Sequence, residues 1–519
     1  MSRSVIRATN QPQALAHRLN TAMAGDSEAA SNIGIGSRWP ASLTRPVSTR
    51  QSWRRLLRSG LQLLLASLAI ITTTAGAAEA TDNPAVHEYK LRNGLKLIVK
   101  EDHRAPVVVS QIWYKVGSAY EHSGITGISH VLEHMMFKGT RKVKAGQFSR
   151  IISINGGREN AFTGQDYTAY FQQLANDRLA ISLRLEADRM RGLLLPEDEF
   201  KKELQVVMEE RRLRTDDDPQ SLLYEQFNAA AFVNSPYHNP IIGWMDDLKH
   251  LQVNDLKAWY QHWYAPNNAT LVIVGDVNPE QAHTLVKRYF GRIQPLQSAP
   301  LKPRRETEQH GIRRITVEAP AEVPYLILGY KTPVLRTLEN KADAYALEVL
   351  AGILDGGNSA RLSRDLIRGQ QIAASASAGY DMYSGHDGLF LLDGTPAPEH
   401  TISDLEQQLR AQIQQLREHP VSAQELDRVK AQVVASAVYE RDSVFYQAMQ
   451  IGMLESVGLD WRLIDKYVDR IRAVTAEQIQ RVANKYLDDQ RLTVAVLNPL
   501  PLSPGQHPGS FSHGGAHVH

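Results

Sequence analysis

Two stretches of this chain, 221 positions apart, read as copies of one another, and that likeness constrains the fold more than any other feature. Val253-Asn254-Asp255-Leu256 through Leu271-Val272-Ile273-Val274 can be laid on Val474-Thr475-Ala476-Glu477 through Leu492-Thr493-Val494-Ala495. Each reads as a capped helix, a tyrosine-containing bend and an apolar strand, although the bend tyrosines, Tyr264 and Tyr486, miss the offset by one. Tyr325–Lys331 echoes Val109–Lys115 less closely. Self-similarity at long range is the mark of a duplicated unit. Helical and strand patterns are mixed within each copy, so the expected fold is α+β (α/β mixed), two homologous halves that each pack helices on a sheet.

Proline and polar punctuation place the joints. Residues 293–312, broken by Pro295, Pro300 and Pro303, are the natural connection. The expected organisation is a first half over 85–296, a linker over 297–312, a second half over 313–499 and a flexible tail over 500–519. Residues 1–80 read as an N-terminal extension plus a secretory signal peptide. Arg54, Arg55 and Arg58 precede the apolar run Leu61–Ile71, and the small-residue sites Ala75-Gly76-Ala77 and Ala78-Glu79-Ala80 follow it. The run is too short for an easy membrane span. Cleavage near Ala77 or Ala80 leaves a periplasmic or secreted protein with no stable span; the arginine-rich residues upstream keep an organellar transit sequence as the alternative.

A composition of 43% apolar and 22% charged residues is that of a globular protein. The formal charge of +2 gives no reason to invoke nucleic acid. Cysteine is absent, which removes thiolate metal sites, cysteine nucleophiles and disulfides together. Any metal must be held by nitrogen and oxygen.

The first half carries a stretch with such ligands. Ile128-Ser129-His130-Val131-Leu132-Glu133-His134-Met135-Met136-Phe137 sets two histidines and a carboxylate inside an apolar run that reads as a helix. At about 100° per residue, His130 and His134 lie one turn apart on one face, where a metal takes a pair of imidazoles. Glu133 falls about 60° to the side of His130. The order H-x-x-E-H is the inverted zinc-helix signature, with a helix of two merely satisfied histidines as the bland alternative. Around it, Asn93-Gly94 predicts a hairpin turn, Val107–Val116 a buried strand, Asn160–Gln173 a strand pair, and Asp177–Arg191 and Glu197–Thr215 two amphipathic helices.

The second of those helices offers the third ligand. With Leu204 at 0°, Val207 falls at about 300°, Met208 at about 40° and Val206 at about 200°, marking the side expected to be buried. Glu210 and Glu203, at about 240° and about 260°, lie between Val206 and Val207, whereas Glu209 at about 140° shares its direction with Lys202 at about 160°. Glu203 and Glu210 therefore point inward together. Two buried carboxylates are costly without a cation; a metal shared with His130 and His134 relieves that cost for Glu210, and Arg211 or Arg214 is the alternative counter-charge.

These residues resemble those of the pitrilysin/insulinase-type inverted zinc metallopeptidases, nearest to their processing-peptidase branch. Glu210 stands 76 positions beyond His134, with Glu203 seven positions before it. The flanks match as well: Gly117-Ser118, Gly127, Phe137-Lys138-Gly139-Thr140, Asn160-Ala161-Phe162-Thr163 and Asp166-Tyr167-Thr168. The resemblance runs from roughly Val86 to Pro499. It implies one Zn2+ per chain held by His130, His134 and Glu210, with Glu203 behind them. It also implies a clam-like cleft between the halves that admits extended or unfolded peptides, with Asn160, Ala161, Phe162 and Thr163 on an edge strand to which a peptide adds. The activity implied is zinc-dependent endopeptidase hydrolysis by a metal-held water, with Glu133 as general base.

The second half departs from this. The segment matching the histidine helix, Ala342–Asp355, contains no histidine. Relatives often use an Arg and a Tyr seven residues later to hold the substrate backbone, and Ile367 and Ala374 occupy those positions here. Neither side chain can make those hydrogen bonds. The resemblance thus implies a homologous partner subunit supplying the Arg/Tyr pair, as a heterodimer, or else a homodimer. A non-peptidase zinc-binding or scaffold subunit is the rival reading. The tail histidines His507, His513, His517 and His519 favour a zinc-storage variant of it.

Overall fold

The structure is a computed structural model that describes residues 86–297 and 302–502. The signal-type segment and the histidine-rich tail lie outside the described residues. Eleven strands form two sheets among the described residues. The first contains β1 (Val86–Lys90), β2 (Lys96–Glu101), β3 (Val107–Tyr114), β4 (Arg158–Thr163), β5 (Thr168–Ala175) and β6 (Ala269–Gly275), in the order β1-β2-β6-β3-β5-β4. The second contains β7 (Arg313–Pro320), β8 (Tyr325–Thr332), β9 (Ala373–Tyr380), β10 (Gly388–Pro396) and β11 (Leu492–Leu500), in the order β7-β11-β8-β10-β9.

The two orders superpose. Dropping β1 and reading β7 for β2 turns one into the other, and in each sheet one pair alone is parallel, β2 with β6 and β7 with β11. This is the duplication expected from the repeat. The pairing also corrects one alignment. Ile112 faces Leu271 and Tyr330 faces Leu492, so β8 follows β3 at an offset of 218. Laying Tyr325 on Val109 implies 216. A slip of two keeps every side chain on the same face of a strand, which is why apolar pattern alone did not resolve it.

Local chemistry explains the elements. Gly94 sits at φ +89° in the β1–β2 turn, a conformation that glycine adopts at little cost. All seven residues of β6 are buried, as a central strand covered on both faces requires. Helix Glu197–Arg211 begins after Pro196 with three acids in its first turn, complementing the helix dipole.

Each sheet is also covered by a helix of the other half. Helix Pro219–Ala231 lies on β7, β8 and β11, where Leu223, Phe227 and Ala231 pack with Ile327, Ala495 and Leu497. Helix Val444–Ser456 lies on β3 and β6. A glycine makes room on each side: a Cβ at Gly329 would stand 2.4 Å from Phe227, and one at Gly452 would stand 2.1 Å from Trp113. Between the halves Glu306 accepts hydrogen bonds from the N–H groups of Val233, Asn234 and Ser235 and from Lys331 Nζ at 2.6 Å, so it touches both.

Candidate metal centre

The histidine helix spans Ile128–Met135 and starts where only glycine fits. Gly127 has φ +86°, and a Cβ there would stand 2.5 Å from the carbonyl oxygen of Ile242. The helix has no side-chain cap from its own first residue. Glu121, from the preceding loop, instead accepts the N–H groups of Gly127 and Ser129 at 2.7 and 2.9 Å. Burial pushes the Glu121 carboxyl up to about 8 although those donors pull it down. Nothing in the sequence marked this residue, because the cap comes from a loop position with no fixed spacing to the helix.

His130 and His134 present their rings 4.9 Å apart. Helix Glu197–Arg211 packs against the histidine helix and brings Glu210 between them. Glu210 Oε2 is 3.7 Å from His130 Nε2 and 3.5 Å from His134 Nε2. One ligand atom from each of the three residues lies within 4.8 Å of the others. Tetrahedral zinc with bonds of about 2.1 Å spaces its ligand atoms by roughly 3.4 Å, and both nitrogen–oxygen distances already stand near that spacing. The donor set fits zinc, and three protein ligands leave a coordination position open.

Glu203 lies behind this group. Its Oε2 is 3.4 Å from His134 Nδ1 and its Oε1 is 2.6 Å from Lys138 Nζ. Lys138 reaches Glu203 from the turn that follows the histidine helix. Glu210 Oε1 pairs with Arg214 at 2.6 Å, so the expected alternative counter-charge is present but occupies the oxygen turned away from the histidines. Arg211 pairs with Glu225 instead. Glu209 and Lys202 are exposed as the wheel predicts, with separate partners, Arg212 and Glu199. Val206 is 44% exposed, which corrects its placement on the buried side; the apolar residues through which the helix packs are Phe200, Leu204, Val207 and Met208, a narrower stripe than the wheel assumed.

Without a metal the group is strongly polarised. Burial disfavours charge on His134, but its contacts with Glu203 and Glu210 raise it to about 9. Burial opposes ionisation of Glu203 and Glu210 too, and their hydrogen bonds to His134 contribute to holding both down at about 2. Glu133 is pushed up to about 7 by burial, although the hydroxyl of Thr163 donates to its Oε2 at 2.6 Å.

Asn160, Ala161, Phe162 and Thr163 all lie on β4, an outer strand of the first sheet. Thr163 touches Glu133, and the Phe162 ring packs on Trp113 and Tyr167. Asn160 Oδ1 accepts the N–H of Ala161.

The profile described as "Insulinase (Peptidase family M16)" matches residues 96–244, and that described as "Peptidase M16 inactive domain" matches residues 250–433. The chain is 32% identical over 441 residues to "Zinc protease PqqE" of Helicobacter pylori, a likeness covering 84% of this chain and 98% of that protein. It belongs to the M16 peptidase family. "Uncharacterized zinc protease YmxG" of Bacillus subtilis is 25% identical over 416 residues, covering 80% of this chain and 98% of that one. A solved M16-type structure, a protease from Helicobacter pylori, superposes with a TM-score of 0.76 at 32% identity over 80% of this chain and 100% of the other. The periplasmic protease PqqL from Escherichia coli shares the M16 fold with a TM-score of 0.67 at 19% identity, and this chain covers 81% of itself and 49% of that chain. The boundary between the two M16 profiles falls within the first half, before β6, so the second profile takes in the last strand of the first sheet.

Proposed function

We propose that this chain is a zinc-dependent endopeptidase acting on extended or unfolded peptides. The observation that carries the reading is the convergence of His130 Nε2, His134 Nε2 and Glu210 Oε2 beside Glu133. The names of the relatives, zinc proteases, support it. His130, His134 and Glu210 would hold one zinc ion per chain, with Glu203 orienting His134. A bound zinc supplies Lewis acidity, polarising a carbonyl and lowering the pKa of water. Glu133 takes a proton from the attacking water and returns it to the leaving amine. Thr163 holds Glu133 Oε2, leaving Oε1 to handle that proton. Open β4 main chain offers a peptide backbone hydrogen bonds, and Asn160, Ala161, Phe162 and Thr163 would face it.

The Arg/Tyr clamp positions support a partner. Ile367 packs against the second-half core and Ala374 lies within β9, so this chain has no hydrogen-bonding side chain there. A homologous subunit, or a second copy, would complete substrate binding. Among the described residues no helix is long and apolar enough to cross a membrane. The segment at Arg54–Ala80 supports export to the periplasm or beyond. The chain alone, and with a homologous partner, should be assayed on an unfolded peptide with and without chelator. Cleavage should depend on metal and fall about 10²–10⁴-fold in Glu133→Gln. Undiminished cleavage in Glu133→Gln would sink the base, and in Glu210→Gln the third ligand. Metal binding without cleavage in any combination favours the scaffold reading.

A further inference from the structure

The second half contains a cavity of about 330 Å³ where the first half has its metal centre. Carrying the 218-residue offset of β8 from β3 into the helices lays His130, Glu133 and His134 on Glu348, Ala351 and Gly352. All three line the cavity. Two ligand side chains and the base are thus replaced by one carboxylate and two near-absent side chains, and the volume they vacate is open. On the neighbouring strand the pairing lays Tyr380 on Ala161, which puts Asp381 at the position of Phe162.

What lines this space has a definite chemistry. Glu348 and Asp381 both face it, among the rings of Tyr380, Tyr383, Tyr446 and Tyr467. Glu348 meets only the hydroxyl of Tyr467, at a long 3.5 Å. Asp381 accepts the N–H of Tyr383 and the hydroxyl of Ser384, both at 2.8 Å. Neither carboxyl has a cationic partner among the described residues. The one cationic side chain lining the cavity, Arg441, donates to the carbonyl of Ile464. Burial pushes the Glu348 carboxyl up to about 8 and the Asp381 carboxyl up as well, and neighbouring acids add to both. Half-buried carboxyls without a cationic partner gain from a cation brought in with its own apolar stem, which the tyrosine faces also attract. The volume is at the lower end of that of small-ligand sites.

We propose that the cavity is a binding site for an organic cation with an apolar stem, an alkylguanidinium or alkylammonium group the size of an arginine or lysine side chain. It occupies the place in the second half that the candidate metal centre occupies in the first. The test is calorimetric titration of the full chain with n-butylguanidinium and, in parallel, with its neutral analogue n-butylurea. The cation should bind saturably, about tenfold tighter than the urea. Glu348→Gln should lose that preference, and Ala351→Leu, which fills the space, should abolish binding. Equal affinity for cation and urea, unchanged preference in Glu348→Gln, or no binding by the wild type overturns the proposal. Folding of each variant is checked by its thermal midpoint, and Glu348→Gln, nearly isosteric, carries the test if Ala351→Leu fails to fold. Fluorescence anisotropy of labelled unfolded peptides containing lysine or norleucine identifies the source. A lysine preference erased by n-butylguanidinium assigns the pocket to peptide side chains; indifference, with the cation still bound, assigns it to a free amine. These are binding readouts, so they stand or fall apart from the peptidase reading.

Discussion

Replacing Glu203 by glutamine should weaken zinc binding without removing a ligand. The carboxylate has two contacts, His134 Nδ1 at 3.4 Å and Lys138 Nζ at 2.6 Å, and its side chain is 8% exposed. It favours the tautomer with the proton on Nδ1, which leaves the Nε2 lone pair for the metal. A neutral amide holds that proton less firmly. It also leaves the Lys138 ammonium uncompensated beside a site that must accept a dication. Loss of such an orienting partner costs about 10–100-fold in metal affinity, or about 1.4–2.7 kcal/mol. Competition with a chromogenic chelator at neutral pH measures it. Glu209→Gln, at an exposed position paired with Arg212, is the control and should leave affinity unchanged. Adding Lys138→Met to Glu203→Gln should restore part of the loss, because the orphaned charge is gone. Wild-type affinity in Glu203→Gln would refute the argument, and no recovery in the double variant would refute the charge component.

Three further outcomes are expected. Burial opposes ionisation of Glu306, but Lys331 and three N–H groups outweigh it and hold the carboxyl at about 2. Lowered in the folded state, this carboxyl contributes stability that is fully present above about pH 4.5 and lost as pH falls towards 2, about 3 kcal/mol in all; acid unfolding of Glu306→Gln should show a correspondingly shallower pH dependence. Phe227→Ala empties a fully buried site over Gly329 and should cost about 3–5 kcal/mol, read as a lowered denaturant midpoint. Glu121→Ala strands the N–H groups of Gly127 and Ser129, at about 1–3 kcal/mol each, and should lower both the thermal midpoint and zinc affinity, whereas Glu121→Gln should retain most of both.

What the residues alone determine here is local and periodic. One turn of helix puts His130 and His134 on one face whatever surrounds them, and the same geometry turns Glu203 and Glu210 away from Glu209. Asn93-Gly94 makes a hairpin because glycine tolerates its dihedral angles. The repeat announced two like halves because each copy kept its helix, bend and strand. Tertiary structure decided everything that depends on distance across the chain. The β3 to β8 offset came from hydrogen-bonded pairing, since a two-residue slip leaves the apolar pattern unchanged. Val206 proved exposed because a wheel shows direction and not how wide a stripe the neighbours cover. Glu121 reaching the histidine helix from a loop, Thr163 holding Glu133, and Lys138 sharing Glu203 with His134 are contacts between elements. The exchange of helices over opposite sheets, and the cavity left where the second half lost its ligands, likewise follow from packing rather than from sequence spacing.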